Sequence, residues 1–164
     1  MKYATTLRLA LISTLVLTTS ACGFRLRGDL ALPPALQTLR LEVADPFSPL
    51  ERDLAAALER SGATITRRPE APRVSIPVNA LSTQVQSIGD AARVTEYVVR
   101  YRVEVQVFAA DGSELLPRTV VELERDFTYD ETQALGAAAE EELLRKELQR
   151  EMVREILRRI ALIG

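Results

Sequence analysis

Apolar and polar residues alternate most regularly in the middle of the chain, between Thr95 and Val107. The apolar residues of one parity are Tyr97, Val99, Tyr101, Val103, Val105 and Val107. The residues of the other parity include Glu96, Arg100, Arg102 and Glu104, with Val98 as the apolar exception. A period of two indicates a strand, and one apolar face with one polar face is typical of an antiparallel sheet covered on one side.

Three weaker patterns of the same kind predict the neighbouring strands, at residues 38–43, 74–88 and about 118–129. Asp111-Gly112 is a hairpin signal between the central strand and the last one. Glu122 and Glu124 share the polar face of that last strand, so opposite charges can pair across the hairpin. We interpret most of these charges as a solvated sheet face.

Two segments have helical periodicity. Ser48, Pro49 and Glu51 form the N-cap, first position and third position of a helix that ends near Gly62. A longer helix begins near Asp130, and its apolar stripe is Leu144, Leu148, Met152, Ile156 and Ile160, widened by Val153 and Leu157. We expect this stripe to pack on the sheet; a helix lying on a membrane surface is the alternative.

These elements, in the order β-α-β-β-β-α, predict an α+β fold. We expect a four-stranded, mostly antiparallel sheet with two helices packed on one face, as a two-layer sandwich. The other face would remain open to a partner.

The N-terminal segment has the pattern of an export signal. A basic start with Lys2 and Arg8 precedes the apolar run Leu9–Leu17 and the small residues 18–21, and Cys22 follows directly. This arrangement resembles a bacterial lipobox, in which the cysteine is acylated. An ordinary signal with an incidental cysteine is the alternative, and Thr19, where lipoboxes usually carry leucine, favours it slightly.

The predicted organisation is a lipoprotein signal peptide at 1–21, a lipid-anchored extended leader at 22–36 and a single α+β domain at 37–164. After residue 21, no apolar run approaches the roughly 20 residues that span a membrane. The anchor at Cys22 would therefore be lipid, and Gly23 after the cysteine resembles the sorting signal for the outer membrane.

Composition excludes several classes of function. The chain has no histidine and one cysteine, which removes the usual general base, thiol nucleophile and metal ligands. We therefore expect no enzyme activity, no cofactor and no metal. The formal net charge of −2, or −4 without Lys2 and Arg8, excludes a nucleic-acid binder driven by bulk charge.

Several short motifs resemble one family. Residues 22–28 (Cys-Gly-Phe-Arg-Leu-Arg-Gly) are similar to the start of mature LptE lipoproteins, which assemble lipopolysaccharide. Pro49–Arg52 resembles the opening of the first helix in that family, and Thr95–Tyr97 the start of its long strand. Arg125–Phe127 and Gln133–Leu135 resemble the approach to its last helix, so the similarity covers nearly the whole chain.

The resemblance implies a non-enzymatic lipoprotein that sits inside LptD, an outer-membrane β-barrel, in a one-to-one complex. It also implies that the protein binds lipopolysaccharide and helps deliver it to the outer leaflet. The protein itself would be anchored on the periplasmic side of the outer membrane. Arg93 would be a lipopolysaccharide contact, or else an ordinary solvated loop residue. Ala137, Ala138 and Ala139 stand where a second basic residue is expected in the family.

The partner-binding candidates are on the polar face of the central strand: Glu96, Arg100, Arg102 and Glu104. Two other readings remain. One is a lipid-anchored envelope scaffold with a different partner, and the other is a lipid carrier, which would need an apolar cavity.

Overall fold

The computed structural model describes residues 31–88, 94–128 and 134–163. Its strands are β1 (Thr38–Val43), β2 (Thr64–Ile65), β3 (Arg73–Ile88), β4 (Val94–Phe108) and β5 (Glu114–Thr128). Its α-helices are α1 (Pro49–Arg60) and α2 (Ala134–Ala161), and a short 3₁₀ turn spans Pro34–Leu36. The α+β class and the order of the predicted elements are confirmed.

The sheet has five strands in the order β2-β1-β3-β4-β5, so the predicted number of four is too low by one short strand. β3, β4 and β5 form an antiparallel meander, as predicted. β1 is parallel to both β2 and β3, because α1 returns the chain to the starting end of β1 before each of these strands begins.

Local signals set the limits of α1. The Ser48 hydroxyl accepts a hydrogen bond from the Glu51 amide at 3.3 Å, as the cap motif predicts. The Ser48 amide donates to the Asp45 carbonyl oxygen at 3.2 Å. At the other end Gly62 has φ of +92°, and the Gly62 and Ala63 amides donate to the carbonyl oxygens of Glu59 and Leu58. This is a Schellman stop, and the positive φ favours glycine there.

Both helices cover the same face of the sheet. The apolar stripe of α2 is buried as predicted, with Leu148, Met152, Ile156 and Ile160 fully enclosed. These side chains meet Leu50, Leu54 and Leu58 of α1 and the odd-numbered valines of β4 in one core. Leu36, from the segment predicted as an extended leader, is also fully buried in this core.

The two halves of the long β3 strand have different neighbours. β1 pairs with β3 only from Arg73 to Ile76. On the other side of β3, its pairing with β4 shifts register between Ser75 and Val78, around Pro77. A proline cannot donate to a ladder, so it is tolerated at such an irregularity. Beyond it, the meander extends past β1 to an end formed by Ile88 of β3, Val94 of β4 and Thr128 of β5.

Candidate functional site

The outer face of the sheet, opposite the helices, carries the predicted partner-binding residues. Glu96, Arg100, Arg102 and Glu104 all lie on the outer face of β4, since they alternate with the buried core residues of that strand. The structure brings the last three together. Glu96 lies apart from them near the start of β4, opposite Ser87 of β3 and Thr128 of β5.

Cross-strand register arranges the charges of this face in alternating order. Arg100 lies directly opposite Glu124 of β5, and Arg102 directly opposite Glu122. Arg100 Nε donates to Glu124 and is 3.3 Å from Glu122 Oε1, while Arg102 Nη1 is 3.6 Å from Glu122 Oε2. The hydrogen bond with Glu124 raises the pKa of Arg100. The predicted pairing across the hairpin is therefore present.

Glu104 is the least exposed charge of the outer face, at 7 %. Its carboxylate accepts a hydrogen bond from Arg102 Nη2 at 2.9 Å and another from Arg118 Nε of β5. The hydrogen bonds from Arg102 and then Arg118 hold the pKa of Glu104 below its ordinary value of 4.5. Two guanidinium groups on one carboxylate make this residue the centre of the network.

This network predicts a pH dependence of stability. A carboxyl whose pKa is lowered by folding stabilises the native state above its unfolded pKa, and this contribution is lost as pH falls through the folded pKa. Glu104→Gln should therefore have a lower thermal midpoint than the unsubstituted chain at pH 7, and the difference between the two midpoints should shrink as the pH falls below the ordinary pKa of 4.5. Melting curves from pH 7 to pH 3 measure this.

The matched control is Glu70→Gln, at an exposed position in the loop before β3. Its midpoint should follow that of the unsubstituted chain at every pH. A difference between Glu104→Gln and the unsubstituted chain that stays constant down to pH 3 would contradict the role of Glu104.

A second charged cluster continues the outer face onto β1. Glu42 Oε1 is 3.0 Å from Arg40 Nη1, and Glu42 Oε2 is 3.4 Å from Arg73 Nη1 of β3. The Arg73 guanidinium also lies 4.4 Å from the centre of the Phe108 ring, as a cation–π contact. The outer face is thus a mosaic of paired opposite charges, which suits selective recognition of a partner better than attraction of one charge type.

Polar contacts between the sheet and α2 were missed by the sequence analysis. Thr83 Oγ1 of β3 donates to Glu141 Oε1 at 2.6 Å, and Arg145 Nη2 donates to Thr83 Oγ1 at 2.6 Å. Arg125 Nη2 of β5 is bound to Glu151 Oε2 at 2.6 Å. The alternation of the strands could have indicated these contacts. Thr83 and Arg125 both lie beside the buried Val99, so their side chains face the helices. These contacts hold α2 on the part of the sheet that extends beyond β1.

The inner face also contains a buried tyrosine. Tyr101 Oη donates to Asn79 Oδ1 at 2.9 Å, and burial, then the nearby Asp53 carboxylate, raises the pKa of Tyr101. A phenol with a raised pKa remains protonated at neutral pH, so this group acts as a hydrogen-bond donor between β4 and β3.

Two predicted site residues, Cys22 and Arg93, lie outside the described residues. In the part of the chain that the structure describes, no group of three or more acidic, histidine or cysteine side chains could hold a metal ion. None of the described helices is long and apolar enough to cross a membrane.

Comparisons with known proteins agree with the fold. The solution NMR structure of an uncharacterized lipoprotein B from Nitrosomonas europaea is 26 % identical in sequence, with a TM-score of 0.72 over 85 % of this chain and 90 % of that one. The crystal structure of the rare lipoprotein B from Shewanella oneidensis is 25 % identical, with a TM-score of 0.64 over 74 % of this chain and 91 % of that one.

Sequence relatives carry a common name. A protein of Yersinia enterocolitica named LPS-assembly lipoprotein LptE is 32 % identical over 93 % of this chain and 74 % of its own length. A protein of the same name from Pectobacterium atrosepticum is 29 % identical over 91 % of this chain and 82 % of its own length. The family model for LptE, described as lipopolysaccharide assembly, matches residues 36–160. The chain therefore belongs to the LptE family.

Proposed function

We propose that this chain is a non-catalytic lipoprotein that fills the lumen of an LptD-type outer-membrane β-barrel, assists assembly of that barrel, and helps deliver lipopolysaccharide to the outer leaflet. The observation that carries the proposal is the outer sheet face of an LptE family member. This face has a fixed arrangement of paired charges, opposite a face already covered by two helices. A polar surface of this kind suits the polar interior of a barrel.

The proposed location follows from the N-terminal segment. Acylated Cys22 would hold the domain at the periplasmic side of the outer membrane, and the leader would connect the anchor to the folded domain. Several acyl chains together hold stably, because each buried methylene contributes about 0.8 kcal/mol.

An affinity pull-down from detergent-solubilised outer membranes tests the partner. We expect one β-barrel to co-purify with the full-length chain in a one-to-one ratio. Recovery of the chain without any barrel would overturn the proposal, and recovery with a different envelope protein would favour the scaffold alternative.

The contact surface of the barrel is proposed to include the β4 residues of the outer face. Replacing Arg100 and Arg102 together by glutamate would place acids beside Glu122 and Glu124, and like charges in direct cross-strand positions destabilise a sheet. The double variant would therefore lose stability as well as any barrel contact, and the two effects could not be separated. A charge exchange is the better test, because it preserves an ion pair within the sheet.

Exchanging the charges of one pair, as Arg100→Glu with Glu124→Arg, should weaken barrel association about tenfold or more, while the thermal midpoint falls less than that of Arg100→Glu alone. The reason is that the pair can re-form within the sheet, whereas its pattern toward a partner is inverted. Quantitative pull-down at several salt concentrations measures the association, and thermal melting measures the stability. An unchanged barrel complex would assign this face to solvent.

Arg93→Glu is the control for the same samples. Arg93 is proposed to contact lipopolysaccharide rather than the barrel, so the variant should retain the barrel complex and bind lipopolysaccharide less tightly. Loss of the barrel complex would contradict that assignment.

A further inference from the structure

One long edge of the sheet has no neighbouring strand over half its length. β1 pairs with β3 as far as Ile76, where the Ala44 amide donates to the Ile76 carbonyl oxygen at 2.9 Å. Among residues 31–88, 94–128 and 134–163, no strand pairs with β3 on this side beyond that point. We call residues 78–88 of β3 the open edge; at about 3.3 Å per residue it is about 36 Å long.

The two edges of the meander differ in chemistry. The β5 edge is protected in the ways usual for natural sheets, with Pro117, a register shift before Thr119, and charged residues from Arg118 to Asp126. The open edge contains neither a charged residue nor a proline. Ala80, Gln84, Val85 and Gln86 along it are exposed. An unprotected edge of this length is a template for pairing with another strand.

An exposed aromatic residue stands where the open edge begins. Phe47 is 94 % exposed and lies only three residues after Ala44, within about 11 Å of it along the chain. Its amide donates to Asp45 Oδ1 at 2.9 Å, and Pro46 and Pro49 restrict the turn on either side. The backbone of this turn is restricted, and its aromatic ring lies in solvent outside the core, as is typical of an anchor residue at an interface.

From these observations we propose that the open edge is a strand-docking site, which receives an extended, largely uncharged segment of the barrel partner, with Phe47 as the apolar anchor at one end. Backbone hydrogen bonds would supply the affinity, as in other cases of strand addition. This inference rests on the proposed function for the identity of the partner.

Position on the sheet favours a partner segment over a second copy of this chain. Ala80 lies directly beside Arg102, and Ser82 directly beside Arg100. A segment docked on the open edge is therefore continuous with the charged outer face. A second copy paired there would extend the sheet sideways and leave those arginines uncovered, whereas a partner that covers the face can also supply a strand at its margin.

Backbone hydrogen exchange of the full-length lipoprotein, alone and in the co-purified barrel complex, tests the proposal. Those amides of the open edge that point away from β4 should exchange at least about tenfold more slowly in the complex, because each becomes a hydrogen-bond donor to the added strand. In the isolated protein they should exchange rapidly.

Two variants test the same site by affinity. Phe47→Ala should weaken barrel association about tenfold or more, as removal of an anchor does. Gln86→Lys should weaken it similarly, since a lysine on an edge opposes strand addition. Leu162→Lys, at a position 78 % exposed directly after α2, is the control and should retain the complex. Thermal melting of each variant confirms that the fold is intact.

Each result has one meaning. A barrel that co-purifies while the open edge exchanges equally fast in both samples overturns the docking site and leaves the proposed function in place. Slow exchange of the open edge in the isolated protein also overturns it, in favour of the leader or a second copy, which light scattering separates by mass. Absence of any barrel partner overturns the proposed function, and the docking site falls with it.

Discussion

Replacing Ile156 by alanine is expected to lower the free energy of unfolding by about 2–5 kcal/mol, because the substitution leaves a cavity in the core. Ile156 is fully buried in the middle of the stripe by which α2 packs on the sheet and on α1. α2 packs there against α1, β4 and β5 in one continuous core, so the cavity has little freedom to collapse. Such a loss is a large fraction of the stability of a domain of this size.

Urea unfolding of the mature chain, followed by circular dichroism, measures this effect as a lower midpoint with an unchanged slope. Leu162→Ala, directly after the end of α2, is the control, because Leu162 is 78 % exposed and should change stability by about 0.5 kcal/mol at most. A loss below about 1 kcal/mol for Ile156→Ala would mean that α2 does not complete the core.

Replacing Cys22 by alanine is expected to abolish acylation, and with it stable attachment to the membrane. In the proposed lipoprotein the thiol would be the acceptor for the first acyl chains, and no other cysteine is present in the chain to replace it. Mass spectrometry of the mature N-terminus should find a lipid-modified cysteine in the unsubstituted protein and no lipid in the variant. Membrane fractionation should follow the same pattern.

Cys22→Ser is the control for size and polarity, because serine has almost the shape of cysteine but is not the thiol that acylation requires. It should behave like the alanine variant. An unmodified thiol at Cys22 in the unsubstituted protein, or cleavage at another position, would show that the N-terminal segment is an ordinary export signal.

The sequence predicted the elements with strong periodicity and missed those that depend on tertiary contacts. β4 and α2 have long runs of two-residue or helical spacing, and both were found within a few residues of their ends. β2 is two residues long and exists through its pairing with β1, as with Thr64 beside Thr38, so it has no period to detect. β5 begins at Glu114 rather than 118, because a register shift accommodates Pro117 inside the strand.

The sequence predicted which charged residues lie on the outer face, but not how deeply they are buried or which partners they bind. Alternation placed Glu104 opposite the core, which suggested a solvated side chain. The structure shows it nearly covered and bound to two arginines, one of them from β5. The register of a hairpin decides which charges meet, and the irregular register near Val105 and Val107 could not be deduced from the sequence.

The parallel pairing of β1 with β3 has a consequence for the order of folding. The contacts within β3, β4 and β5 join consecutive strands, whereas the contact between Leu41 and Val74 requires closure of a loop that contains α1 and β2. Because closing a longer loop costs more entropy before any contact compensates for it, we infer that the meander forms early and β1 docks on it late. The last segment to reach its native position is then β1, the strand that follows the leader and the proposed lipid anchor, so the part of the domain nearest the membrane attachment would complete the fold.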